Sequence, residues 1–233
     1  MNDGGAGLST QHKEADLILA TICQFISIEI DGKSAITTMK SGGSPNWRQM
    51  EWIGFWFEHF AKTQLAPTLG VAAGPSFGRT SFDLILNNVW DLKVHPTNSG
   101  SQVLILNDQE AVDACVDSHG GLGFIVVLGQ ATYDETGSFK IWHDELKGGR
   151  SRYEETRISR GAPSRRRKIS FRPTSILALY FASQESLQRG LREGWLGYFQ
   201  SGMRNSNGLP RRAKYKIDLD RVPSDLVVSR THL

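Results

Sequence analysis

Residues 81–96 read Ser-Phe-Asp-Leu-Ile-Leu-Asn-Asn-Val-Trp-Asp-Leu-Lys-Val-His-Pro and contain two apolar, strand-like runs on either side of Asn87-Asn88. Asparagine tolerates the positive φ angles that tight hairpin turns require. Two strand-like runs separated by such residues predict a β-hairpin. The function predicted below depends on the register of this hairpin.

The register decides which charged side chains share a face of the hairpin. If residues 86–88 form a three-residue connection, Asp83 lies opposite Asp91, and directly opposed residues point to the same face. Lys93, two positions beyond Asp91 on the same strand, then joins them. A two-residue turn instead places Asp83 on the other face. The sequence leaves both registers open.

Two carboxylates held side by side repel each other unless a cation neutralises them. Oxygen ligands of this kind suit Mg²⁺. A neighbouring lysine can orient or help to deprotonate a water molecule and can stabilise charge on a phosphate. Asp83, Asp91 and Lys93 on one face therefore predict a magnesium site for the in-line attack of water on a phosphodiester.

Two helices are predicted before the hairpin. The spacing of apolar residues indicates one helix at 12–30 and another at 47–62. In the second helix, Glu51 and Glu58 belong to a stripe next to the apolar face.

The elements after the hairpin complete a mixed α/β pattern. We expect, in order, a strand at 102–106, a helix at 108–118 ended by Gly120-Gly121, a strand at 124–128 buried on both faces, and one or two helices at 174–198. This order predicts an α/β fold with a mixed central β-sheet flanked by helices. No repeat or linker divides the sequence, so we treat 1–233 as one domain.

The charge of the chain is distributed unevenly. The whole sequence carries 27 Lys and Arg against 24 Asp and Glu, a net charge of +3. Residues 1–140 hold 8 basic and 15 acidic residues (−7), whereas residues 141–233 hold 19 and 9 (+10). A strongly basic half indicates a polyanionic partner such as nucleic acid, with a solvated arginine-rich surface as the alternative.

Ten of the basic residues fall within 147–172, a stretch interrupted by Gly, Ser and Pro that favours an extended or loop-rich element. Arginine dominates there, and its planar fork suits bidentate contact with phosphate or guanine. We predict that the basic portion, about 147–221, binds double-stranded DNA, with most of its residues in contact with the DNA backbone and a few in contact with base edges. The residues expected to make these contacts are Arg150, Arg152, Arg157, Arg160, Arg165, Arg166, Arg167, Lys168 and Arg172.

The pattern Asp83…Asp91-Leu92-Lys93, on a hairpin between a helix and a buried strand, resembles the signature of the PD-(D/E)xK nuclease superfamily and is most similar to the type II restriction endonucleases. The resemblance implies a restriction-endonuclease-like catalytic core at about 44–135. It also implies that Asp83 and Asp91 are metal ligands and that Lys93 is the catalytic lysine.

Many members of this superfamily add a glutamate from the preceding helix. Glu51 is the candidate for this third catalytic and metal-binding carboxylate, with Glu58 as its substitute. Gln130, on the buried strand, is a candidate polar contact. Phe82 stands where the family pattern has proline, and the short gap between the two aspartates requires a tight hairpin. If Asp83 faced away, a glutamate would have to replace it.

The resemblance implies a type II restriction endonuclease that uses Mg²⁺ to hydrolyse double-stranded DNA at specific sequences and leaves 5′-phosphate ends. Such enzymes usually act as homodimers on palindromic sites, and a cognate DNA methyltransferase is expected in the same system. Three alternatives stay open: a repair, recombination or junction-selective nuclease of the same fold, a non-catalytic DNA-binding protein, and an RNA nuclease.

The cysteines and the apolar runs bear on location. Cys23 and Cys115 lie in apolar helical contexts without a second thiol or histidine at metal-ligand spacing, as is typical of reduced thiols in cytoplasmic proteins. The longest apolar runs, 123–128 and 176–182, are far shorter than the roughly 20 residues of a transmembrane helix. We therefore expect a cytoplasmic protein with no membrane partner.

Overall fold

Within residues 9–204 and 208–233, which the computed structural model describes, the chain forms eight α-helices and eleven β-strands. The helices are α1 (Thr10–Phe25), α2 (Gly32–Ser41), α3 (Trp52–Phe60), α4 (Ala66–Leu69), α5 (Gln109–His119), α6 (Ser138–Leu146), α7 (Arg152–Ser159) and α8 (Gln184–Glu193). The strands are β1 (Ile30–Asp31), β2 (Ser76–Phe77), β3 (Thr80–Ser81), β4 (Leu84–Ile85), β5 (Val89–Pro96), β6 (Val103–Asp108), β7 (Leu122–Tyr133), β8 (Lys168–Phe181), β9 (Leu196–Phe199), β10 (Lys214–Asp218) and β11 (Val227–His232).

The central sheet is mixed. Its strands follow the order β1–β8–β7–β5–β4, and β11 also pairs with β8. Strands β5 and β7 are parallel, whereas the other described neighbours in this sheet are antiparallel. Strands β6, β10 and β9 form a separate antiparallel sheet, and β2 pairs with β3. The prediction of a mixed central sheet with flanking helices is confirmed.

Two apolar layers cover the faces of the central sheet. On β7, Ile125 and Val127 pack with residues of α1, α2 and α3. The alternate residues Phe124 and Val126 pack with residues of α5, α8 and the second sheet. These four side chains are at most 1% exposed. This period of two places the sheet between two cores, as the continuous apolar run in the sequence indicated.

Trp90 holds β5 in place between β7 and α1. Its indole ring lies over Gly123, its partner in the parallel pair, where a Cβ atom would come within 2.1 Å of the ring. Only glycine leaves room for the ring at that position. The buried indole nitrogen donates a hydrogen bond to Glu14 of α1 at 2.9 Å. This bond therefore joins α1 to the central sheet at strand β5 of the hairpin.

The order of the elements predicted after the hairpin is confirmed, although β7 (Leu122–Tyr133) extends well beyond the predicted 124–128. The expected strand, helix and buried strand after the hairpin correspond to β6, α5 and β7. Gly120 ends α5 in the left-handed conformation, with φ of 69°, as its position after the last apolar residue indicated.

The two helices before the hairpin differ from the prediction. The first ends at Phe25, and residues 30–31 pair instead with β8 as β1. The second begins only at Trp52, after a 3-10 turn at Pro45–Arg48 that starts at the capping residue Ser44. A π-helical turn, Ala61–Leu65, joins α3 to α4.

The predictions for the second half were partly wrong. Residues 174–198 do not form one or two helices throughout, because β8 continues to Phe181, one helix (α8) follows, and β9 begins at Leu196. A short apolar run with both faces buried has no period that separates strand from helix. Residues 147–172 are not all loop, because Ser151 caps α7 and Lys168 begins β8.

Candidate active-site cleft

The hairpin has the three-residue connection. Leu84 pairs with Trp90 and Ile85 with Val89, which leaves residues 86–88 as the turn. Asp83, just before β4, therefore falls opposite Asp91. Its Oδ2 atom accepts a hydrogen bond at 2.8 Å from the backbone nitrogen of Leu92. The register that brings the two aspartates to one place is the one adopted.

Asp83 and Asp91 form a buried carboxylate pair. Asp83 is 8% exposed and Asp91 is 2% exposed. Burial raises the pKa of Asp83 to about 8, and the negative charge of Asp91 adds to this rise, while Lys93 and the Leu92 amide oppose it. Ionisation of Asp83 is therefore unfavourable unless an additional positive charge lies near the pair.

Lys93 lies against the pair. Its ammonium group forms an ion pair with Oδ2 of Asp91, and Asn107 of β6 donates a hydrogen bond to Oδ1 at 3.1 Å. Burial by itself lowers the pKa of Lys93, but the attraction of Asp91, followed by that of Asp83 and Glu58, raises it overall. Lys93 therefore keeps its proton at neutral pH, which suits it to stabilise negative charge rather than to act as a base.

The structure brings Glu58 to this site and leaves Glu51 outside it. Glu58 lines the same cleft as the aspartates, and its pKa is raised by burial, with Lys93 opposing and Asp91 adding to the rise. Glu51 precedes α3, has a side chain 47% exposed and pairs with Lys168 at 2.5 Å. The expectation that Glu51 completes the site is corrected, because the helix starts after Glu51 and the two glutamates share no helical stripe.

These groups open into a cleft of about 570 Å³. Its lining combines the carboxylates and Lys93 with further polar residues from β6 and the β2–β3 hairpin. Three more cations line it, one from the turn after α3, one from the β2–β3 hairpin and one from β10. The residues with charged or amide side chains are Glu58, Lys62, Arg79, Asp83, Asp91, Lys93, Asn107, Asp108 and Lys214.

Asp108 is a further carboxylate of this cleft, for which the sequence predicted no metal-binding or catalytic role. It is 7% exposed, and no residue within 9–204 or 208–233 donates a hydrogen bond to its buried Oδ1 atom. Oδ2 lies 3.9 Å from the guanidinium group of Arg212. Asp108 precedes α5 but makes no side-chain cap with it. The sequence had indicated only that this residue begins the helix predicted at 108–118.

The donor set fits a divalent cation. The carboxylate and amide oxygens of the cleft are hard ligands, which Mg²⁺ prefers. The raised pKa of Asp83 and the unsatisfied oxygen of Asp108 both indicate negative charge that a cation would stabilise. Among the described residues, no three His, Cys, Asp or Glu side chains are close enough to hold a metal ion by themselves. Magnesium commonly uses one or two carboxylates and completes its shell with water and substrate phosphates.

The predicted DNA-contacting residues fall into two groups. Arg157 is bonded to Glu154, Arg167 is only 7% exposed, and Lys168 pairs with Glu51, so these three are not presented to solvent as expected. The exposed members of the set are Arg150, Arg152, Arg160, Arg165, Arg166 and Arg172. None of the nine lines the cleft that contains the aspartates.

Gln130 also lies away from the site. It is opposite Arg172 in the pairing of β7 with β8, and both residues line a second cleft together with Cys23. Only the amino-terminal end of β7 passes beside Asp91, which pairs with Phe124.

A single glutamate from α1 holds the turn of the hairpin. The carboxylate of Glu14 accepts hydrogen bonds from the backbone and side-chain nitrogens of Asn87 and Asn88, at 2.7–3.2 Å, and from Trp90. Tyr180 of β8 donates a further bond to the side chain of Asn88 at 2.6 Å. No local pattern around Glu14 indicated this role, because its partners lie 73–76 residues away.

Comparison with known proteins identifies no relative, since no family model, no curated protein and no solved structure matches this chain significantly. Among the described residues, none of the helices has both the length and the apolar character needed to cross a membrane.

Proposed function

We propose that this chain is a Mg²⁺-dependent endonuclease of the restriction-endonuclease-like fold that hydrolyses double-stranded DNA. The observation that carries the proposal is the convergence of Asp83, Asp91 and Lys93 in one cleft through the three-residue hairpin turn. Two buried carboxylates with a protonated lysine beside them are the groups that phosphodiester hydrolysis requires.

In the proposed reaction, a water oxygen attacks phosphorus and the bond from phosphorus to the 3′ oxygen breaks. The attacking water releases a proton to solvent, the 3′ oxygen leaves as a hydroxyl group after it takes up a proton from solvent, and the phosphate stays on the 5′ side. Bound Mg²⁺ supplies positive charge that stabilises the phosphate and acidifies the attacking water. Asp83 and Asp91 would hold the cation, and the ammonium group of Lys93, which is paired with Asp91, would stabilise the negative charge that develops on the phosphate.

The finer proposal is a type II restriction endonuclease. A basic second half with six exposed arginines of the 150–172 stretch supports a polyanionic partner. A homodimer that cuts both strands of a palindrome, together with a cognate methyltransferase, belongs to this proposal, as does a cytoplasmic location.

The decisive experiment is a digest of plasmid and phage DNA by the purified protein, with Mg²⁺ and with a chelator. We expect discrete, magnesium-dependent fragments with 5′-phosphate ends. Asp91→Asn and Lys93→Met should each reduce cleavage by about 100-fold or more, because each removes a group that stabilises the transition state.

Two matched variants serve as controls. Asp117→Asn and Lys13→Met make the same chemical changes at exposed helix positions outside the cleft, so their cleavage rates should equal that of the wild type. Full activity of Asp91→Asn or Lys93→Met would remove the proposed site. Cutting only of branched DNA or only of RNA would replace the restriction function, and binding without cutting would replace the catalytic one.

A further inference from the structure

Three cations reach the active-site cleft from three separate parts of the chain. Lys62 comes from the π-helical turn after α3, Arg79 from the β2–β3 hairpin, and Lys214 from the start of β10. All three line the cleft that contains Asp83 and Asp91. We call Lys62, Arg79 and Lys214 the cleft cations.

The cleft cations form no close ion pair in the described part of the chain. None of the three forms an ion pair or a side-chain hydrogen bond with a residue in 9–204 or 208–233. Lys62 and Arg79 are exposed and Lys214 is partly buried. By contrast, Lys93 in the same cleft is already paired with Asp91. The cleft therefore offers three positive charges without an ion pair among the described residues, although the charge of Lys62 also lowers the pKa of Glu58.

An anionic ligand needs such charges here. The carboxylates of Glu58, Asp83, Asp91 and Asp108 line the cleft and repel a phosphate that approaches it. A divalent cation at the aspartates offsets part of this repulsion, and the cleft cations offset a further part of it. Three cations that line one cleft from separate elements can neutralise more than one phosphate of a nucleic-acid strand.

We propose that the cleft cations bind the phosphodiester backbone of the nucleic-acid strand that is to be cut. This inference rests on the proposed function and locates its substrate. The exposed arginines of the 150–172 stretch do not line the cleft, so in this view they contact DNA that flanks the cut. Contacts to phosphate position the strand and carry no sequence information.

The test is the salt dependence of binding by a triple variant, Lys62→Ala, Arg79→Ala and Lys214→Ala. Binding to a short fluorescein-labelled DNA duplex is measured over a range of salt concentrations with a fixed concentration of Ca²⁺ in place of Mg²⁺, so that the aspartates have a divalent cation while magnesium-dependent cleavage does not interfere. Each lost phosphate contact lowers the slope of log Kobs against log salt by about 0.9, so the variant should lose about 2–3 in slope.

A second triple variant controls for net charge. Lys13→Ala, Arg192→Ala and Arg230→Ala also remove three exposed cations, but none of these lines the cleft. Its slope should fall by less than about 1, since only long-range attraction is lost. Equal slopes for the two triple variants, or a wild-type slope in the cleft variant, would overturn the inference.

The binding test of the cleft cations can fail or succeed independently of the cleavage test of the proposed nuclease. A cleft variant with a reduced slope, together with a wild type that does not cut DNA in Mg²⁺, would support the binding surface and reject the nuclease. Single substitutions, each expected to lower the slope by about 0.9, supply the answer if the triple variant unfolds. A wild type that does not bind the duplex would reject this inference directly.

Discussion

Trp90 donates its indole hydrogen to the carboxylate of Glu14, which lies 76 residues earlier in the chain, at 2.9 Å. The same carboxylate accepts four bonds from Asn87 and Asn88. The turn that places Asp83 opposite Asp91 is thus fastened to α1. Local hairpin geometry and a distant helix together set the register of the candidate site.

Glu14→Ala should destabilise the protein strongly. The substitution leaves the buried Trp90 indole without an acceptor and removes the bonds to the exposed Asn87 and the half-buried Asn88, which we expect to lower the free energy of unfolding by about 2 kcal/mol or more. Urea denaturation measures the change. Asp16→Asn, at an exposed position of the same helix, should change it by less than about 0.5 kcal/mol. If Glu14→Ala were about as stable as the wild type, the hydrogen bonds to Glu14 would not be needed to stabilise the turn.

Asp83 should make the cation-free protein less stable as the pH rises. Its pKa is about 8 in the fold and near 3.8 when unfolded, so the neutral acid is favoured by folding. The stability it contributes is complete below about pH 4 and is lost as the pH rises through 8.

Asp83→Asn tests this directly, because asparagine keeps the acceptor for the Leu92 amide without the charge. In chelator we expect the variant to melt at least about 3 °C above the wild type at pH 9, since about 1 kcal/mol moves the Tm of such a domain by roughly 2–4 °C. At pH 4 the two should melt together. A Tm difference independent of pH would contradict the raised pKa of Asp83.

Asp108→Asn should weaken divalent-cation binding. The buried Oδ1 has no donor among the described residues and lies in the cleft with Asp83 and Asp91, so its negative charge adds to the attraction for a cation. We expect Mn²⁺ affinity, measured by calorimetry, to fall about 10-fold, or about 1.4 kcal/mol. Asp117→Asn, on the exposed side of α5, should bind like the wild type. Equal affinities for both variants would remove Asp108 from the site.

Glu58 and Glu51 should differ in their effect on cleavage. Glu58→Gln removes a partly buried carboxylate that faces Lys93, so we expect a loss of about 10–100-fold in the magnesium-dependent rate, the range for groups that support metal ligands. Glu51→Gln breaks only an ion pair with Lys168 whose glutamate side is half-exposed, and should cut at the wild-type rate. A larger loss of cleavage rate in Glu51→Gln than in Glu58→Gln would show that Glu51, and not Glu58, belongs to the site.

How much was predictable differs between elements. The alternation of apolar residues and the glycines after α5 indicated the hairpin, β6, α5 and β7, because these signals are local. The apolar end of β8 has no such signal, since a strand buried on both faces and a short buried helix read alike, and its sequence was predicted as helix. The start of α3 was misplaced by five residues, from 47 to Trp52, and this moved Glu51 out of the helix.

The sequence by itself determined that Asp91 and Lys93 share one face of a strand, since side chains alternate along any strand. It also determined the basic character of the second half. The tertiary structure alone decided the rest of the candidate site: the register that places Asp83 opposite Asp91, the presence of Glu58 rather than Glu51, the approach of Asn107 and Asp108 to the aspartates, and the cleft cations. These residues meet through contacts between elements far apart in the chain, and such contacts depend on packing and turn register that no local pattern encodes.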